Sequence, residues 1–235
     1  MNDSLLSLPE WAQVLAVFDT ETTGIAYDTT RIVTANISIL RADGSIESSR
    51  DWLINPGIAI PEQATAVHGI TTEFARENGE DAAGSIYEIV QELQALFDSG
   101  IAVVAYNASY DFSILQREAV RYSHDPISDP SPIVDPLILD KALDRYRKGK
   151  RTLEAVAAHY GVDLADAHTA SADAIAAGRV AQALASKYSS ELSITALELH
   201  SKQIEWAAAQ AESFNEYLKK SGKPYQPTSG VWPVR

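Results

Sequence analysis

VLAVFDTETTG, residues 14–24, is the stretch on which the reading of this chain turns. Five apolar residues, Val14 to Phe18, give way to a polar segment that carries two carboxylates, Asp19 and Glu21, two positions apart. The apolar run reads as a buried strand. In a strand, residues i and i+2 face the same side, so both carboxylates project together where the strand ends. Carboxylates held that close repel one another unless a cation joins them. A hydrated strand-to-loop turn would account for a bare D-x-E pair. The string DTETTG is more specific, because its five fixed positions arise by chance in roughly 1 in 10⁴ chains of this length.

Working outward, residues 31–40, RIVTANISIL, are rich in β-branched side chains. The turn signal Ala42-Asp43-Gly44-Ser45 and a second run at 46–54 follow, which predicts an antiparallel pair. Residues 55–61 read as a loop. Ile86, Ile89, Val90, Leu93 and Leu96–Phe97 have the spacing of an amphipathic helix over 82–98. IAVVAY, 101–106, is apolar on both faces, as a parallel strand is. Helices are expected over 109–122, 136–146, 152–160 and 169–187, with a short strand near Ile133–Asp135. The sum is an α/β fold, a mixed five-stranded sheet flanked by helices. The first domain should span 1–188. Residues 189–235 should form a helical extension and an irregular tail, packed on the domain or on a partner through Ile204, Ala207, Ala208, Ala211, Phe214 or Asn215, and Leu218.

The chain has 235 residues, no Cys and a net charge of −13. Absence of Cys excludes disulfides, thiolate metal sites and Cys nucleophiles. The apolar runs are far shorter than the ~20 residues of a membrane span. No basic residue precedes Arg31, so a secretory signal is not expected and a cytoplasmic location is. The acidic balance speaks against a sequence-independent nucleic-acid binder. It is compatible with an enzyme whose carboxylates hold metal ions, since the ions reverse the local sign. Residues 145–151, RYRKGKR, carry five positive charges in seven positions. They are either a solvated loop or a local phosphate contact.

Two further segments carry candidate chemistry. Asp111 stands in the first turn of the helix after IAVVAY, where a carboxylate also suits the helix dipole, and Asn107 directly follows the strand. His168 and Asp173 lie five residues apart, about 140° past a full turn of a 3.6-residue helix. They would not share a helix face. His168 is therefore expected on the loop before the helix, Thr169 or Ser171 at the N-cap, and Asp173 in the first turn.

Three strings in this order, FDTETTG (18–24), YNASYDFSIL (106–115) and HTASAD (168–173), with INPGIAIPEQATAVHGIT (54–71) between, are familiar. The chain resembles the DEDDh 3′–5′ exonucleases of the RNase H-like superfamily, in particular the family of the proofreading epsilon subunit of bacterial DNA polymerase III. The resemblance covers about Val14 to Tyr188. It implies an RNase H-like sheet and two divalent cations, Mg²⁺ or Mn²⁺. Asp19, Glu21 and Asp173 would be direct metal ligands, with Asp111 holding the second metal through water and His168 the general base. It also implies that Thr22 and Thr23 meet the terminal hydroxyl, that His68, Gly69 and Ile70 pack on the terminal bases, and that Asn107 belongs to the substrate site. The partners it implies are nucleic acid 3′ ends, DNA ahead of RNA, and a DNA polymerase or repair protein; a homodimer is a further candidate. Tyr106 departs from the His common at that position, and the segment after residue 190 has no counterpart in a polymerase-binding tail. An RNA-trimming or oligonucleotide-trimming nuclease, and an inactive nucleic-acid-binding module, are the alternatives.

Overall fold

The computed structural model describes residues 8–164, 169–222 and 224–235. The sheet is organised around β1 (Val14–Thr22), whose residues Leu15–Phe18 are wholly buried. Its side chains alternate between two cores. Ala16 and Phe18 join one hydrophobic cluster, Leu15 and Val17 the other, as the period of two requires. β2 (Ile32–Arg41) pairs antiparallel to β1, and β3 (Ile46–Asn55) antiparallel to β2. The expected turn joins them, with Gly44 at φ 75° and the Arg41 N–H donating to the Ser45 carbonyl at 2.9 Å. On the other side of β1 lie two parallel strands, β5 (Val103–Val104) and β6 (Ile133–Val134).

The sheet has six strands, not the five read from sequence, in the order β4-β3-β2-β1-β5-β6. The additional strand, β4 (Glu80–Asp81), pairs parallel to Ile54 and Asn55. Two residues are too few to show any alternation. Gly79 allows the approach: a Cβ there would lie 2.5 Å from the Asn55 nitrogen and 2.4 Å from the Ala75 carbonyl oxygen.

One face of the sheet is covered by α4 (Ala82–Asp98) and α5 (Ser109–Arg121), which bury Ile86, Ile89, Leu93 and Phe112 against Phe18 and Trp52. The other is covered by α7 (Leu153–Tyr160) and α8 (Ala170–Lys187), whose Val156, Ala177, Val180 and Leu184 meet Leu15, Val17 and Leu40. A Cβ on Gly178 would stand 2.5 Å from Val17 Cγ1, so α8 sits against β1 as closely as glycine permits. The short helices α1 (Glu10–Gln13), α2 (Glu62–His68) and α3 (Thr72–Asn78) precede β1 and link β3 to β4. α6 (Pro136–Leu143) follows β6 and ends three residues before the expected 146.

Beyond α9 (Ser189–Leu192), α10 (Ala196–Ser221) opens with a capping box of Thr195 and Glu198. Its expected apolar stripe is buried only in part, at Ala211 and, less fully, Ala207. Ile204 and Phe214 are 44% and 49% exposed, whereas Leu199, His200, Gln203 and Ala211 are buried. The reason is that α10 docks on the outer edge of β6, where unpaired backbone groups need polar partners. His200 Nδ1 accepts from the Ile133 N–H at 3.0 Å. Gln203 accepts from the Asp135 N–H at 2.6 Å and donates to the Ile133 carbonyl at 2.9 Å. The tail then brings the buried Trp232 against the His200 ring, centroids 4.9 Å apart. No helix among the described residues is long and apolar enough to cross a membrane.

Candidate active site

Asp19 and Glu21 occupy the last turnout of β1, opposite Asn36 and Thr34 of β2, both half-buried. The register slips between Glu21 and Thr22, so the strand bends just where the carboxylates stand. β5 pairs with β1 only at Ala16 and Val17, which leaves the edge of β1 open farther along. Asp111 fills that opening. Its Oδ1 accepts from the Thr20 N–H at 3.1 Å and from Thr20 Oγ1 at 2.7 Å, and the side chain is 3% exposed. The residue between the two β1 carboxylates thus ties the third to the same strand.

Asp173 lies in the first turn of α8, whose N-cap is Thr169 rather than Ser171: the Thr169 hydroxyl accepts from the Ala172 N–H at 3.3 Å. The charges report the convergence of all four. Burial drives the Asp19 carboxyl well above its usual range, and Asp111, Glu21 and Asp173 drive it further. Burial, then Asp173 and Asp111, push Glu21 up to about 7. Asp111 is pushed up to about 7 by burial, against the two bonds from Thr20. His168 lies outside the described residues.

Of the residues expected to meet substrate, Thr22 and Thr23 are buried beside the carboxylates. Thr23 is committed to its own loop, its hydroxyl accepting from the Arg31 N–H at 3.0 Å and its N–H donating to the Arg31 carbonyl at 2.9 Å. His68 closes α2, with Gly69 at φ 79° as the C-cap. Its Nδ1 accepts from the Ile70 N–H at 3.1 Å. That leaves Nε2 as the protonated nitrogen, buried and facing the Thr22 backbone. Burial lowers the His68 pKa, while the adjacent Thr22 backbone opposes the shift. Ile70 packs on the small cluster of Val33, Ile60 and Ala75, so part of its side chain serves the core. Asn107 adopts φ 62° at the β5–α5 junction.

Three residues that sequence reading passed over shape this site. Asp135, 2% exposed, accepts from the N–H groups of Asn107, Ala108 and Leu137 at 3.0 Å each, and so fixes the junction that aims α5. Burial nevertheless holds its carboxyl up to about 6. An Asp directly before a Pro at a helix start was the available signal. The Tyr110 hydroxyl donates to the Gly24 carbonyl and lies 2.5 Å from Thr22 Oγ1. Glu118, two turns below Asp111 on α5, accepts from the Ile32 N–H and pairs with Arg121, anchoring the loop between β1 and β2.

The basic run 145–151 divides between its two readings and a third. Arg147 and Arg151 close on the fully buried Asp140 at 2.7 and 2.5 Å, and Tyr160 donates to it at 2.9 Å. Those two arginines are structural. Arg145, Lys148 and Lys150 are exposed.

Among the described residues, no three His, Asp or Glu side chains stand in an arrangement that by itself chelates an ion. The donor set nevertheless fits a divalent metal. Asp19, Glu21 and Asp111 are oxygen donors whose mutual repulsion and burial disfavour their charged forms, and hard cations such as Mg²⁺ and Mn²⁺ take such ligands.

Residues 16–181 match the family model described as Exonuclease. The PolC-type DNA polymerase III of Streptococcus thermophilus is 31% identical over 180 residues, 76% of this chain and 11% of that protein. The DNA polymerase III subunit epsilon-like protein of Rhodobacter capsulatus is 29% identical over 164 residues, 68% of this chain and 22% of that one. The chain therefore spans only 11–22% of the length of these two relatives. Among solved structures, E. coli exonuclease I with a dT13 oligonucleotide superposes with TM-score 0.61 at 20% identity, over 72% of this chain and 40% of that one. The zinc-bound complex of the same enzyme with single-stranded DNA gives TM-score 0.65 at 19% identity, over 77% and 42%. These structures share the fold.

Proposed function

The chain belongs to the exonuclease family, and from that footing we propose that it removes nucleoside 5′-monophosphates one at a time from the 3′ end of DNA, single-stranded or frayed ends first. The observation that carries this reading is the convergence of buried and half-buried carboxylates at the end of β1. Burial raises the carboxyls of Asp19, Glu21 and Asp111, and the charges of Asp111 and Asp173 raise Asp19 and Glu21 further. Such a cluster is unfavourable to the protein alone and is suited to cations brought with a phosphodiester.

Asp19, Glu21 and Asp173 would hold the metal directly and Asp111 at one remove. Two divalent cations, when bound, polarise the scissile phosphate and offset charge on the attacking and departing oxygens. The remaining work falls to the chain itself. Thr20 fixes Asp111 by two hydrogen bonds. The segment at Thr22 meets the terminal hydroxyl and stops the strand, with Thr23 holding that segment to Arg31. The His68 ring, buried against the Thr22 backbone, steadies that stretch. His168 takes the proton from the attacking water. DNA is placed ahead of RNA because the relatives named above are DNA polymerase III proteins.

Purified protein incubated with 5′-labelled single-stranded DNA and RNA of matched sequence, with and without Mn²⁺, tests this reading. A ladder shortening from the 3′ end, 5′-monophosphates as product, and faster decay of DNA are expected. Faster decay of RNA would turn the assignment to an exoribonuclease. No release with Mn²⁺ would overturn the enzyme reading. His168→Ala should lower kcat by about 10²–10⁴ while Mn²⁺ affinity holds.

A further inference from the structure

Between α6, α10 and the returning tail runs a groove of about 840 Å³. Asn107 and Ser109 line one part of it, at the head of the helix that carries Asp111. Its chemistry differs from the rest of an acidic molecule. Lys141 and Arg145 line it, both exposed and neither paired with a carboxylate among the described residues. Trp206, Phe214 and Tyr217 form its α10 wall; Phe214 and Tyr217 are 49% and 66% exposed, with rings stacked at 6.4 Å and 21°. None of the four α10 glutamates lines it. Among the described residues that line it, Asp135 carries a side-chain carboxylate, which already accepts three backbone N–H groups.

Exposed cations beside exposed flat rings suit a ligand that is at once polyanionic and aromatic. Cationic grooves with aromatic platforms are how proteins hold single strands without reading sequence. From Trp206 to Tyr217 the helix rises about 16 Å, the length of about five nucleotides at a stacked spacing of ~3.4 Å. We infer that this groove carries the single-stranded nucleic acid that trails from the 3′ end, with bases on Phe214 and Tyr217 and phosphates at Lys141 and Arg145. The inference rests on the exonuclease reading and adds to it a track beyond the terminal nucleotides, built by the C-terminal extension.

Fluorescence anisotropy of the full chain in EDTA, with 5′-fluorescein oligothymidylates of 3 and 12 nucleotides, tests it without hydrolysis. The 12-mer should bind at least tenfold tighter than the 3-mer. Phe214→Ala/Tyr217→Ala and Lys141→Ser/Arg145→Ser, two independent surface variants, should each weaken 12-mer binding about tenfold or more. The second should also flatten the slope of log K against log salt by about 1.4, the release expected for two phosphates on a single strand. Equal affinity for both lengths, wild-type affinity in both variants, or competition by poly-glutamate as effective as by unlabelled 12-mer would overturn the groove. Hydrolysis is read separately with Mn²⁺. A chain that cleaves both lengths with the same KM overturns the groove alone. One that binds the 12-mer through these residues and releases no monophosphate keeps the groove and loses the exonuclease.

Discussion

Asp111 and Asp140 are both buried aspartates, 3% and 0% exposed, and they have opposite chemistry. Burial pushes both upward. At Asp111 the neutral donors of Thr20 do not offset it, and the carboxyl stands at about 7. At Asp140 the hydrogen bonds from Arg147, Arg151 and Tyr160 outweigh burial and hold the carboxyl below its usual value. The Asp140 cluster is complete in itself: its charge is matched by groups of the same chain. Asp19, Glu21 and Asp111 have no such cation beside them among the described residues and are suited to positive charge that arrives from outside. Burial of an acid therefore says little about its purpose; what decides is whether the fold supplies the counter-charge.

The sharpest way to break this contrast is to remove one acid from each cluster. Asp19→Ala should drop nuclease activity below about 1%, since a metal ligand is lost. The metal-free protein should melt no lower than wild type, because a repelling group is gone. A fall in melting temperature would mean that Asp19 is part of the scaffold. Asp140→Ala should do the reverse. It strands two largely buried guanidinium groups and should cost about 3–5 kcal/mol in urea unfolding; an unchanged midpoint would show the network to be ornamental. Gly178→Ala comes next. A methyl group there meets Val17 and should cost about 1–3 kcal/mol. Because α8 also carries Asp173, it should raise the Mn²⁺ concentration needed for half-maximal activity; normal metal dependence would uncouple that packing from the site.

The smallest effect is in pH. Glu21 holds its proton more tightly folded than unfolded, its pKa rising from 4.5 to about 7. The metal-free protein should therefore gain stability as pH falls from about 7 towards 4.5. Asp140 shifts the other way, so its contribution is full above the unfolded value and is lost only as pH falls below about 4. Melting temperatures between pH 7.5 and 5.5 should rise in EDTA. Saturating Mn²⁺, which needs deprotonated ligands, should reverse that trend. A flat profile in EDTA would mean that neither burial nor the neighbouring carboxylates raise Glu21.

Much of this was legible because it is local. β1, α4, α5 and α8 each carry enough consecutive residues for a period to show, and Asp19, Glu21 and Asp111 sit at element ends that the same patterns locate. Glu80–Asp81 is too short to announce its pairing, whereas β5 and β6 show through the apolar residues around them. α2 buries none of its residues, so it leaves no apolar signature. Arg147 and Arg151 read as solvated charge because their partner, Asp140, is brought near by tertiary structure. His200 and Gln203 are the clearest case. Hydrophobic spacing nominates Ile204 and Phe214 as the packing face of α10, but the surface to be covered is a strand edge, and strand edges select hydrogen-bonding side chains.

That edge has a consequence in time. The partners of Ile133 and Asp135 lie 67 and 68 residues farther along the chain. During synthesis at about 5–20 residues per second, β6 waits roughly 3–14 s for His200 and Gln203 to be made. In that interval its outer N–H and C=O groups are a template for any other extended segment nearby. The last long helix is thus also the step that retires a nascent aggregation site, and slow or interrupted translation before residue 203 would lengthen the interval in which neighbouring chains on one message can pair there.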